Sequence, residues 1–232
     1  MTLDPAAAVA LSVAVGAAST ALALVPATGI AWVLARRKFR GKTALSALVM
    51  APLVLPPVVT GVLMLKLLGR SSPVGGALAS MCLPVTYSTF GAILAAAVVG
   101  FPLFVITLRN AFEAVDRRLE EVSLSLGVSP AATFRRITLP LALPGLAAGM
   151  VLAFARGLGE FGATTMLAGN IEGETRTIAL AVYTVLDAPD GETTAWKLIG
   201  ASLFLSLGAL AAFEVLNRWQ RRRLELDDDA RP

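Results

Sequence analysis

Histidine is absent from this chain of 232 residues. That removes the commonest metal ligand and the commonest general base. The single cysteine, Cys82, can neither close an internal disulfide nor join a thiolate cluster. It reads as a small buried apolar residue, the usual state of a free cysteine. Charge is scarce as well. Charged residues make up 16% of the chain, against about 25% in soluble domains. Hydrophobic residues make up 56%, and mean hydropathy is +0.74. No water-soluble core hides this much apolar surface, so the bilayer is the solvent. A basic segment ahead of the first apolar run is also lacking, and the uncharged stretch 5–35 is too long for the core of a cleavable signal. It reads as a retained first span. Apolar runs fill most of the chain and leave one domain, residues 1–232.

A helix needs about 20 apolar residues to cross a bilayer. Residues 5–35 and 43–65 qualify without a charge. Residues 71–108 are uncharged but too long for one span, and Pro73, Gly75, Gly76 and Pro84 break their first part. The reading is a short outer segment followed by a helix over 86–108. A fourth span covers 143–167 and contains Arg156 and Glu160. A fifth covers 196–219, with Trp196 and Trp219 as interfacial anchors. The expected architecture is an all-α polytopic membrane protein with about five spans.

Basic residues set the direction. Arg36, Arg37, Lys38, Arg40 and Lys42 follow span one; Arg109, Arg117, Arg118, Arg135 and Arg136 lie between spans three and four; Arg218, Arg221, Arg222, Arg223 and Arg231 follow span five. These fifteen face four on the other side: Lys66, Arg70, Arg176 and Lys197. The asymmetry predicts an outer N-terminus and a cytoplasmic C-terminus. It also explains the net charge of +4 without nucleic acid as a partner.

Prolines 26, 52, 56, 57 and 102 punctuate the spans. Broken helices survive in lipid where neighbours or a watery cavity satisfy the freed carbonyls. Leu55-Pro56-Pro57 is thus either a helix lining a pathway or a packing kink. Arg156 and Glu160 stand four apart, a spacing that lets them pair on one helix face. Arg156 either offers positive potential to a passing anion, or the two form a structural ion pair. Gly145 and Gly149 form a GxxxG pattern for close helix packing, within or between protomers.

The segment between spans three and four is polar and helix-forming. Over 113–126, Val115, Leu119, Val122 and Leu126 make one apolar stripe. Gly127 is placed to end that helix in the left-handed conformation. Ser129 and Pro130 read as an N-cap and first helical residue. A second short helix with Phe134, Arg135, Arg136 and Ile137 follows, and Leu139-Pro140 stops it. The result is a bent pair of short helices.

Glu121, Gly127, Ile137, Leu139 and Pro140 stand at offsets that resemble the EAA loop of ABC importer permeases; Val122 and Ser123 depart from that pattern's two alanines. The 51–58 stretch Ala-Pro-Leu-Val-Leu-Pro-Pro-Val, the 152–163 stretch ending Gly-Glu-Phe-Gly-Ala, and the 170–178 stretch Asn-Ile-Glu-Gly-Glu-Thr-Arg-Thr-Ile resemble the molybdate branch of that family. The second is shared with sulfate permeases; the third is more specific. The resemblance implies a type I importer permease in the bacterial inner membrane. It implies a homodimer, two cytoplasmic ATP-binding subunits and an extracytoplasmic oxyanion-binding protein. Docking of the ATPase would fall to Glu121, Gly127, Ser129, Pro130, Phe134, Arg135, Arg136, Ile137, Leu139 and Pro140. Pro56, Pro57, Arg156 and Glu160 would border the translocation pathway. No cofactor is expected on this chain, with ATP and magnesium held by the partner.

Other classes fit less well. Gly41-Lys42-Thr43 looks like the end of a phosphate-binding loop, but the position five residues before Gly41 holds Arg36 rather than glycine. Gly157, Gly159 and Gly162 match a dinucleotide fingerprint inside an apolar span, with no strand before it. A secondary transporter calls for intramembrane acidic relays and internal repeats; Glu160 is the one intramembrane carboxylate, and no repeat is visible. A membrane enzyme lacks histidine, reactive cysteine and clustered carboxylates. A sulfate-type permease of the same superfamily remains the nearest alternative.

Overall fold

Small residues set how the long helices pack. The computed structural model describes residues 4–188 and 191–229, with side chains through Trp219. Helix α1 (Pro5–Arg36) starts at Asp4, whose carboxylate accepts the Ala6 N–H at 2.9 Å. Its buried stripe is mostly Ala, Ser, Thr and Gly. Such a stripe lets backbones approach closely in a bilayer, where apolar side chains gain little by leaving lipid. The stripe meets α5 (Thr89–Ala114) and α8 (Leu139–Leu158). A Cβ on Gly100 of α5 would lie 3.1 Å from the Ala153 carbonyl of α8, and one on Gly149 would lie 2.9 Å from Phe104. The GxxxG face therefore packs within this chain at Gly149.

Among the described residues, four helices are long and apolar enough to cross a membrane: Pro5–Arg36, Thr89–Ala114, Pro130–Leu158 and Glu192–Trp219. The bent pair α2 (Lys42–Val54) and α3 (Pro57–Leu68) is long and apolar enough only when the two helices are taken together, as a broken span or a re-entrant loop. The short outer segment is α4 (Pro73–Ser80). The last helix, α11 (Glu192–Asp229), leaves Leu203, Phe204, Leu207 and Leu210 exposed, as a helix facing lipid does. No strand occurs among the described residues.

Several expectations are corrected. Residues 43–65 are not one straight helix. α2 and α3 meet at 116° across Leu55 and Pro56, because two consecutive prolines lack the N–H groups that would continue the ladder. The expected helix over 113–126 is split. Val115 is extended and buried beside Leu34, Leu108 and Phe112, so the bundle claims it. Asp116 then caps a new helix, α6 (Arg117–Ser125), accepting the Arg118 N–H at 2.9 Å. Leu139-Pro140 does not stop the next helix either. α7 (Pro130–Thr133) runs through a π-turn (Phe134–Thr138) into α8. The Leu139 N–H donates to the Phe134 carbonyl five residues back, and this wider turn accommodates a proline ring that an α-turn would crowd.

The expected span over 143–167 ends early. α8 stops at Leu158, Gly159 to Phe161 form a break, and α9 (Gly162–Ala168) follows. One further helix, α10 (Ile178–Leu186), has no counterpart in the sequence reading; it packs on α1 and α11 through Ala8, Ala181, Ala195 and Leu198. Cys82 is exposed, with a positive φ of 59°, rather than buried, because it lies in the turn after α4.

Candidate functional site

Two bent joints carry the residues of interest. The first is the knuckle between α6 and α7. Gly127 has φ +81°; its N–H donates to the Leu124 carbonyl at 3.0 Å, and the Val128 N–H donates to the Ser123 carbonyl at 3.2 Å. These two bonds are the Schellman arrangement that glycine permits. Ser129 accepts the Ala132 N–H at 3.4 Å, and Pro130 opens α7. Ser123 and Thr133 share a buried hydroxyl–hydroxyl bond of 2.9 Å, which fixes the angle between the two helices.

The sequence-derived docking residues divide into two groups. Glu121, Gly127, Ser129, Pro130, Arg135, Arg136 and Pro140 lie on the outer side of the knuckle, and Glu121, Arg135 and Arg136 make no ion pair among the described residues. Ile137 lines an open apolar groove of about 420 Å³ with Leu119, Val122 and Leu126, and Leu139 is half-buried at the start of α8. Phe134 turns the other way. It packs edge-on to Trp32 at 5.9 Å and against Phe112 at 6.0 Å, so it anchors the knuckle to the bundle.

Sequence reasoning misses the ties beneath the knuckle. It treats Arg36 only as an orienting charge, yet Arg36 forms an ion pair with Glu120 at 3.0 Å and donates to the Val115 carbonyl at 2.8 Å. Thr138 donates to the same Glu120 oxygen at 2.6 Å, and Arg117 donates to the Ala35 carbonyl at 3.2 Å. A cation directly after an apolar run is the one signal that points there. Nothing in the pattern marks Thr138.

The second joint lies between α8 and α9. Arg156 and Glu160 pair at 3.1 Å, but not along one helix: Glu160 sits in the break, 2% exposed, and its other oxygen accepts the Ala163 N–H of α9 at 2.7 Å. The carboxylate thus caps α9 while neutralising Arg156. The two prolines come to this place as well. A Cβ on Gly162 would lie 3.0 Å from Pro57 Cβ, and one on Gly61 would lie 2.8 Å from the Ala163 backbone. The α2–α3 and α8–α9 breaks therefore abut, with Pro56 and Pro57 exposed beside them. Phe161 leans on Tyr183 of α10 at 5.3 Å.

The 170–178 stretch is a self-bonded loop. Asn170 donates to Thr184 and accepts from Arg176, each at 2.9 Å, and Arg176 also pairs with Glu172 at 3.2 Å. Thr89 donates to the Glu174 carbonyl, and Ser12 of α1 accepts the Ile178 N–H at 2.7 Å. The loop's backbone ties it to α1 and α5, and its Asn170 side chain ties it to α10. No group of three or more potential metal-ligating side chains occurs among the described residues.

Comparison with known proteins places this geometry. The chain is 45% identical over 217 residues to the molybdenum transport system permease protein ModB of Escherichia coli K12, covering 93% of this chain and 95% of that one. It is 43% identical over 218 residues to the protein of the same name from Haemophilus influenzae, covering 94% and 95%. It is 40% identical over 203 residues to that of Mycobacterium tuberculosis, covering 86% and 77%. The fold resembles the crystal structure of an amino acid ABC transporter (TM-score 0.60, 14% identity, covering 96% of this chain and 100% of that one). It also resembles a bacterial ABC transporter involved in the import of the acidic polysaccharide alginate (TM-score 0.61, 17% identity, 93% and 78%). Residues 27–225 match the family described as binding-protein-dependent transport system inner membrane component, and the chain belongs to that family.

Proposed function

We propose that this chain is the membrane-spanning subunit of an ATP-driven importer for molybdate or the similar dianion tungstate. The observation that carries the reading is the identity of 40–45% to molybdenum permeases over most of the chain, joined to a polar knuckle on an otherwise apolar bundle. Two copies would form the pore, each docked through the α6–α7 knuckle on a cytoplasmic ATPase subunit that holds ATP and magnesium. A soluble oxyanion-binding protein would deliver cargo from outside. The N-terminus would lie outside and the C-terminus in the cytoplasm of a bacterial inner membrane. This chain would not hydrolyse ATP itself.

Mechanically, closure of the ATPase pair would pull the knuckle. The paired breaks at Pro56 and Glu160 would give the bundle a place to bend without breaking long helices. Arg156 is 29% exposed, so its charge would reach an anion in the pathway even while it is tethered to Glu160. The deciding experiment is uptake by a strain lacking its own molybdate permease and expressing this chain with its cognate partners. Molybdate uptake that a large excess of sulfate leaves unchanged is the expected result. Uptake abolished by sulfate would assign the sulfate class, and uptake without the ATPase subunit would refute the importer reading.

A further inference from the structure

We propose that Arg36, Glu120 and Thr138 are positioning residues that lock the knuckle to the cytoplasmic ends of α1 and α8, so that the three move as one body. The inference rests on reading the α6–α7 knuckle as the ATPase docking element. One carboxylate oxygen of Glu120 holds the junction: it lies 3.1 Å from Arg36 Nε, 3.0 Å from Arg36 Nη2 and 2.6 Å from Thr138 Oγ1. Arg36 is the last residue of α1, and Thr138 is the last residue of the π-turn that leads into α8. The same guanidinium holds the Val115 carbonyl in the break between α5 and α6, and Arg117 of α6 returns a bond to the end of α1. Three segments, the end of α1, residues 115–120 and the π-turn, thus meet on one ion pair.

The burial pattern separates this junction from a docking surface. The side chains of Arg36 and Glu120 are 6% and 18% exposed, and Thr138 is 1% exposed. Most of their surface is already covered by the chain's own helices. Glu121, one residue on, points outward without an ion-pair partner among the described residues. The adjacent carboxylates therefore divide the work: Glu121 is available to the partner, and Glu120 carries displacement inward. Hydrogen bonds to an ionised carboxylate are short and strong, and a π-turn is an unusual insertion that recurs at functional sites. Here the turn delivers the Thr138 hydroxyl to the carboxylate.

The test uses the full complex with its ATPase subunit and binding protein in proteoliposomes, and it reads molybdate imported per ATP hydrolysed. Glu120→Gln and Thr138→Val should insert, retain the ATPase subunit on purification and continue to hydrolyse ATP. Molybdate moved per ATP should fall severalfold, because displacement of the knuckle is no longer passed in full to α1 and α8. Thr138→Ser, which keeps the hydroxyl, should restore the ratio. An unchanged ratio in both variants overturns the proposal. So does loss of the ATPase subunit in step with lost uptake, which would make Glu120 a docking contact. Reduced folded protein with a normal ratio per folded complex assigns a purely structural role and also overturns it. If the unmodified chain fails to retain the ATPase subunit, the docking reading falls first and this inference with it.

Discussion

The two bent joints solve one problem in opposite surroundings. At the α6–α7 knuckle, the bonds that set the bend lie within residues 123–133: the Gly127 turn, the Ser129 cap and the Ser123–Thr133 pair. At the inner joint, α9 takes its cap from a buried carboxylate, and its seat comes from Pro57 and Gly61, far earlier in the chain. Water can solvate the loose N–H and C=O groups of an exposed helix end, so a local motif suffices there. Inside a bundle each freed group needs a protein partner, and a long-range contact must hold that partner in place.

The largest expected effect breaks the inner joint. Arg156→Ala leaves the Glu160 carboxylate buried with the Ala163 N–H alone. Truncating one member of a buried pair costs about 3–5 kcal/mol, and the partial exposure of Arg156 places this case at the lower end. Glu160→Ala should also destabilise, because it uncaps α9. The double variant should cost less than the two losses together. Thermal unfolding in detergent, beside abundance in membranes, reads this directly; additive losses would show that the two charges act independently.

Next comes the seat of α9. Gly61→Val drives a side chain into the Ala163 backbone, and overpacking of this kind costs about 1–3 kcal/mol. Gly29→Val is the matched control, since a Cβ there meets nothing within 4 Å. Equal stability of the two variants would remove the α3–α9 contact from the account.

The knuckle should be more forgiving of stability than of function. Gly127→Val places a branched residue in the left-handed region at a cost of about 1–2 kcal/mol. The added Cβ meets no neighbour, so conformation alone is at stake. Insertion should persist while uptake falls. Full uptake by the Gly127→Val variant would show that the angle of the bend is immaterial.

Smallest in stability is Glu121→Lys, an exposed change expected to stay within about 0.5 kcal/mol. Its consequence should emerge only as weaker copurification of the ATPase subunit. Retention at the normal level would move the docking contact elsewhere on the knuckle.

The legible parts of this protein share a physical cause. Span number, helical class and the asymmetry of basic residues follow from chain-local hydropathy and charge. Gly127 and Ser129-Pro130 are legible because helix caps are short-range devices. The errors fall where distant segments intervene. Val115 continues an apolar stripe on paper, but the bundle core takes it and cuts the helix. Leu139-Pro140 has the composition of a stop, yet packing below and a π-turn carry the helix through it.

The amino-acid sequence by itself determined that this chain lives in a bilayer, how many times it can cross, and where its exposed polar joint lies, because each of these depends on residues within about 20 positions of one another. Only the tertiary structure decided that Glu160 caps a helix it does not belong to, that Pro57 meets Gly162, and that Arg36 reaches Glu120 and Thr138. Those contacts depend on side-chain direction after packing, and a buried charge or a close glycine contact has its partner only once the helices have come together.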